Sequence, residues 1–152
     1  MHYLQERIDT ARHFNRDISM TAEIRWKQRF ENFTRAFNLF DSAVKLQTPS
    51  KLEKEGVIQR FEYTFELAWK TLRDYMRYGG IETDLPRDVI KEAFANTLIQ
   101  DGKVWIDMLE KRNLMAHTYD EASFETAYSK ITQEYYKALK QVYDLLLQKS
   151  RG

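Results

Sequence analysis

The stretch Gln59-Arg60-Phe61-Glu62-Tyr63-Thr64-Phe65-Glu66-Leu67-Ala68-Trp69-Lys70-Thr71 decides the fold. Its apolar side chains belong to a longer row, Val57, Phe61, Phe65, Ala68, Leu72 and Tyr75, at steps of three and four residues. That is the period of one helical face. Ile58, Trp69 and Met76 widen the stripe. A face this wide packs against more than one neighbour, so a helix from about Ser50 to Tyr78 is expected at the centre of a bundle. Gly79-Gly80 reads as its C-terminal stop.

The same period extends in both directions. Upstream, Trp26, Phe30, Phe33, Phe37, Phe40 and Val44 form one stripe, which Thr48-Pro49-Ser50 ends. Their spacing makes these rings core rather than a base-stacking platform, and Arg25, Lys27, Arg29 and Arg35 then read as a solvated face. Residues 1–23 have weak periodicity and are expected to be an arm or a short helix. Downstream, Pro86 can open a third helix, because its missing N–H would be unpaired there anyway. Asp101 is a plausible N-cap for a fourth carrying Val104, Trp105, Met108, Leu109 and Met115. Thr118-Tyr119-Asp120-Glu121 fits a capping box with Thr118 as N-cap. The last helix then shows Phe124, Ala127, Ile131, Tyr135, Ala138, Val142 and Leu145. The expectation is an all-α, up-down bundle of about five helices over residues 24–150.

Composition supports that class. The chain has 152 residues, enough for one buried core, with 43% hydrophobic and 31% charged residues. Five glycines and two prolines are few for a turn-rich β architecture. The absence of cysteine excludes disulfide frameworks and cysteine zinc sites. Charges interrupt the first nine residues, unlike a signal peptide, and no apolar run approaches the roughly 18 residues that span a bilayer. A cytoplasmic protein without membrane contact is expected. Lys and Arg number 24 against 23 Asp and Glu, a formal charge of +1. Nucleic-acid binders usually carry a clearly basic surface, so any RNA contact has to come from a local site.

Most chemistry-bearing motifs are missing. His2, His13 and His117 are the only histidines, and no two of them lie at the spacing of a helical ligand pair, so no metal site is expected. Gly79-Gly80 lacks the Lys-Ser/Thr of a phosphate-binding loop. No cofactor is called for. Glu62 and Glu66 lie one turn apart and could do acid–base work, but Lys70 at i+4 from Glu66 favours a surface row.

That leaves Arg112-Asn113-Leu114-Met115-Ala116-His117-Thr118-Tyr119. A cation, a polar side chain, a histidine near a helix end and a tyrosine stand within eight residues. The same residues also read as a helix C-terminus decorated with cations, which the helix dipole favours.

Three segments together resemble the HEPN-type nucleotidyltransferase substrate-binding family. The central stretch quoted first resembles its main-helix signature. Pro86-Arg87-Asp88-Val89-Ile90-Lys91-Glu92-Ala93-Phe94 resembles its third-helix segment, and Arg112 to Tyr119 resembles its Arg-x4-His-x-Tyr motif. The likeness runs from about Ile24 to Leu147. It implies a homodimer and a small nucleotidyltransferase partner encoded nearby. It also implies the role of a toxin that cleaves RNA without metal through Arg112, Asn113 and His117, silenced by AMP transfer to Tyr119. Histidine titrates near neutrality and can exchange protons, and arginine offers planar donors to phosphate. The alternative is an accessory bundle that only binds the partner or its substrate.

Geometry constrains a joint site. At about 100° per residue, five steps turn about 140°, so Arg112 and His117 diverge on a continuous helix. Either the helix ends between them, or two protomers face each other; the second is expected.

Overall fold

A computed structural model describes residues 2–113 and 120–152, with the side chains of 2, 3, 11 and 13–19 left out. The described residues are helical, without strands. They form α1 (His2–Val44), α2 (Lys51–Tyr78), α3 (Pro86–Ala95), α4 (Gly102–Glu110), α5 (Glu121–Lys130), a π-helical segment (Ile131–Tyr135) and α6 (Tyr136–Arg151). The last three run on with right-handed helical dihedrals at both junctions, so they make one rod. The described residues thus form five rods.

α2 is the centre. It packs against α1 along the longest shared interface and also reaches α3, α5 and α6. That explains its wide face: Val57, Ile58, Phe61, Phe65, Ala68, Leu72 and Met76 are all buried. Local chemistry sets both ends. Ser50 Oγ accepts from the Glu53 N–H at 3.2 Å, while Glu53 Oε1 accepts from the Ser50 N–H at 2.9 Å. These reciprocal bonds satisfy donors that a helix N-terminus leaves open. At the other end the Ile81 N–H reaches Met76 O and the Gly80 N–H reaches Arg77 O. This closing turn needs a left-handed residue, and Gly80 supplies it at φ 91° without steric cost.

α1 buries Trp26, Phe30, Phe33, Phe37 and Phe40, the rings expected from its stripe. The segment 1–23, read from the sequence as an arm or short helix, is continuous with this helix from His2 onward. No glycine or proline interrupts it. What changes near residue 24 is burial: Leu4, Ile8 and Met20 are exposed, and the core begins at Trp26. One basic residue departs from the solvated-face reading. Arg29 Nε donates to Asp74 Oδ2 at 3.0 Å, and Arg73 Nε donates to Asp74 Oδ1 at 3.0 Å. Asp74 is 1% exposed, so the two guanidinium groups compensate a buried carboxylate.

The final rod departs from simple periodicity. Its buried row is Phe124, Ala127, Ile131, Tyr135, Leu139, Val142 and Leu146. Leu139 and Leu146 replace the expected Ala138 and Leu145, which are only partly buried. From Ala127 to Leu139 the row takes three consecutive steps of four, each gaining about 40° on an α-helix. The π segment absorbs that drift through an i to i+5 bond from the Tyr136 N–H to Ile131 O. Tyr135 consequently points inward and stacks on Phe61 at 5.1 Å between ring centroids.

Candidate functional site

The candidate motif begins where α4 stops. Asp101 caps the start of α4, its side chain accepting from the Val104 N–H at 3.2 Å. Trp105 and Met108 anchor one face in the core. The apolar spacing predicts a helix that continues through Met115. Instead α4 ends at Glu110, and residues 111–113 form a turn. Tertiary bonds at Asp107, invisible to local periodicity, accompany this end. Arg112 is half-buried in the turn and Asn113 is exposed. Among the described residues Arg112 meets no carboxylate. His117 and Tyr119 lie outside the described residues.

Asp107, five residues before Arg112, organises the neighbourhood. Lys111 Nζ lies 3.0 Å from its Oδ1, and Lys130 Nζ, from α5, lies 3.2 Å from its Oδ2. The phenol of Tyr135 donates a short hydrogen bond to the same Oδ2. One carboxylate thus ties the C-terminal end of α4 to α5 and to the π segment. Burial opposes its charged form, but the bonds from Tyr135, Lys111 and Lys130 outweigh that and hold the carboxyl below the usual range. Burial and the same bond push the Tyr135 phenol far above its ordinary value. The two lysines also place positive charge at a helix C-terminus, where the dipole favours it. Sequence reasoning places Tyr135 in the apolar row of the last helix and names neither lysine, and it links none of the three to the carboxylate. Lys130 and Tyr135 stand 23 and 28 positions from Asp107 and leave no short-range pattern.

The start of α5 corrects a second expectation. Asp120, not Thr118, is the N-cap: its Oδ1 accepts from the Ser123 N–H at 2.7 Å and its Oδ2 from the Ser123 hydroxyl at 2.9 Å. Glu121 becomes the first helical residue rather than the reciprocating N3 partner. A carboxylate cap is favoured at this positive helix end, and the Ser123 N–H foremost keeps Asp120 ionised below the usual range. Thr118 itself lies outside the described residues.

Other polar groups are structural. Glu66 accepts from Trp69 Nε1 at 3.1 Å and lies 3.9 Å from Lys70 Nζ, the pairing expected of a half-exposed row. Tyr136 donates to Asp41, and burial with that bond pushes its phenol up to about 12. Among the described residues no group of three or more potential ligands could hold a metal ion. Nor is any described helix long and apolar enough to cross a membrane.

The fold is an all-α bundle of a kind seen in solved structures. A Haemophilus influenzae structure, described as showing the fold of a substrate-binding domain of a nucleotidyltransferase, superposes with a TM-score of 0.55 at 24% identity. The match covers 86% of this chain and 98% of that one. A Thermus thermophilus crystal structure superposes with a TM-score of 0.68 at 32% identity, over 79% of this chain and 99% of its own. Residues 28–148 match the family model "Nucleotidyltransferase substrate binding protein like". The chain belongs to that family. It is also 32% identical over 81 residues to a protein named "Probable ribonuclease HepT" from Haemophilus influenzae. That match spans 50% of this chain and 56% of the relative.

Proposed function

We propose that this chain is the regulatory, substrate-binding subunit of a minimal nucleotidyltransferase pair and acts as a HEPN-type ribonuclease toxin. Arg112, Asn113 and His117 form the catalytic set, and Tyr119 accepts AMP from the partner. The observation that carries the reading is the end of α4 at Glu110. A helix continued to His117 would send the two side chains about 140° apart. A turn at 111–113 removes that restriction. Similarity to a protein named as a probable ribonuclease supports the same reading. Two copies related by a two-fold axis would complete the cleft, each contributing one motif.

In this reading His117 takes the proton of an RNA 2′-hydroxyl, and the 2′-oxygen attacks phosphorus. The bond to the 5′-oxygen breaks, and that oxygen takes its proton from a His117 imidazolium, giving a cyclic phosphate and a free 5′-hydroxyl. Arg112 donates to the phosphate oxygens as charge builds, with Asn113 as a further donor or an orienting group. Tyr119, a weak nucleophile at an ordinary pKa of about 10, needs the partner to take its phenolic proton as it attacks the α-phosphorus of an adenosine triphosphate, from which pyrophosphate leaves. The AMP it receives adds negative charge that repels RNA from the same pocket.

The family description favours a second reading, in which the chain presents a substrate to the nucleotidyltransferase and cleaves nothing. Two measurements separate them. Expressed alone, the chain should slow growth, and His117→Ala should abolish the effect; equal growth of both would leave the accessory role. Co-expressed with the neighbouring nucleotidyltransferase, it should gain one or more AMP units by intact mass. Tyr119→Phe should remove that gain.

A further inference from the structure

Beside Arg112 the fold assembles a second cationic group that the ribonuclease reading does not use. Lys111 and Lys130 come from different elements, yet their ammonium nitrogens lie 3.0 and 3.2 Å from opposite oxygens of Asp107. Their side chains are 42% and 36% exposed. Each ammonium carries three donors, and Asp107 occupies one on each, so both keep donors for an outside acceptor.

The local charge is unbalanced. Lys111 and Lys130 face Asp107, Arg112 follows Lys111 in the turn, and Glu134 of the π segment is a more distant negative neighbour of Lys130. Glu110, the nearest other carboxylate in sequence, is engaged with Arg87 at 3.5 Å. One positive charge remains in excess at this end of α4. In a chain of formal charge +1, such a local excess is what an anionic polymer would find.

The pair is also held in place. Tyr135 is 1% exposed and fixes Asp107 from below, so two long side chains that would otherwise roam are drawn to one carboxylate. Ordering them beforehand lowers the cost of binding. Resting on the ribonuclease reading, we propose that Lys111 and Lys130, organised by Asp107 and Tyr135, form a backbone-phosphate subsite for single-stranded RNA adjoining Arg112. The subsite positions the strand and carries no sequence information.

The test measures binding of a fluorescent single-stranded RNA across a salt series, with His117→Ala in every chain so that the probe is not consumed. For single strands, each neutralised phosphate contributes about 0.7 to the slope of log affinity against log salt. Lys111→Gln with Lys130→Gln should lower the slope by about 1.4, and Lys130→Gln alone by about 0.7. The double Lys→Arg variant should keep the parent slope. Lys140→Gln is the control, since Lys140 bridges Asp144 at 2.7 Å in a similar exposed pair elsewhere; it should change nothing. Binding with an unchanged slope in the double Gln variant overturns the subsite and leaves the ribonuclease reading standing. An equal loss in the Lys140 control overturns it as a generic charge effect. No binding by the parent overturns both.

Discussion

Tyr135→Phe removes one oxygen atom and nothing else from the core. The ring keeps its stacking on Phe61, so no cavity opens and the lost term is the hydrogen bond to Asp107. Hydrogen bonds to charged groups contribute about 1.5–3 kcal/mol. Asp107 keeps Lys111 and Lys130, and its side chain is 28% exposed, so water can replace part of the donor. The lower end applies: about 1.5 kcal/mol. For a domain of this size that lowers Tm by roughly 3–6 °C. Urea unfolding at pH 7 should show a lower midpoint with an unchanged m-value. The acid limb adds a second readout. Asp107 has a folded pKa below its unfolded value, so its contribution is present above the unfolded value near 3.8 and is lost as pH falls through the folded one. Without the phenol the folded pKa rises toward the unfolded value, so less of this stability remains to be lost in acid. The difference between parent and variant should therefore shrink as pH falls below about 4. A variant as stable as the parent at pH 7, within about 0.3 kcal/mol, would refute the claim that Asp107 and Tyr135 hold the end of α4 together.

Two further substitutions test other parts of the account. Thr97 sits at φ 59°, a left-handed conformation that a β-branched residue resists, in the turn that closes α3 through Leu98 N–H to Ala93 O. Thr97→Gly should raise stability by about 1 kcal/mol in chemical denaturation, and a loss of stability would show that the threonine side chain supports the turn. Asp74→Ala should cost about 3 kcal/mol by the same method, because it leaves Arg29 and Arg73 facing each other across a buried site. A cost below about 1 kcal/mol would mean that water screens both arginines there.

The resemblance of three segments to one family is legible in the residues alone, and it agrees with the match over residues 28–148. Helix positions are legible for the same local reasons that form them: stripes at three and four, a serine cap with its glutamate, a glycine stop, a proline opening. The readings that fail are those that project a local pattern across a tertiary contact. Periodicity carries α4 on to Met115 although its end is pinned at Asp107. The Thr118 capping box gives way to a different cause, an equally local cap in which the Asp120 carboxylate takes the Ser123 N–H. Arg29 looks like one cation in a solvated row because its partner is 45 residues away.

A helical period is written every few residues, because backbone bonds join i to i+4 and the buried face follows from that spacing. The sequence alone therefore determined an all-α bundle with α2 at its centre. It also determined the position of the Arg112–Tyr119 motif after the fourth helix start. Ion pairs and hydrogen bonds between rods carry no such period. Only the tertiary structure brought Lys130 and Tyr135 to Asp107, and Arg29 to Asp74. It alone revealed the π segment, whose extra residue keeps Tyr135 facing the core while Leu139 follows in phase. Those partners are chosen by which faces meet after packing, and no spacing along one strand of chain encodes that choice.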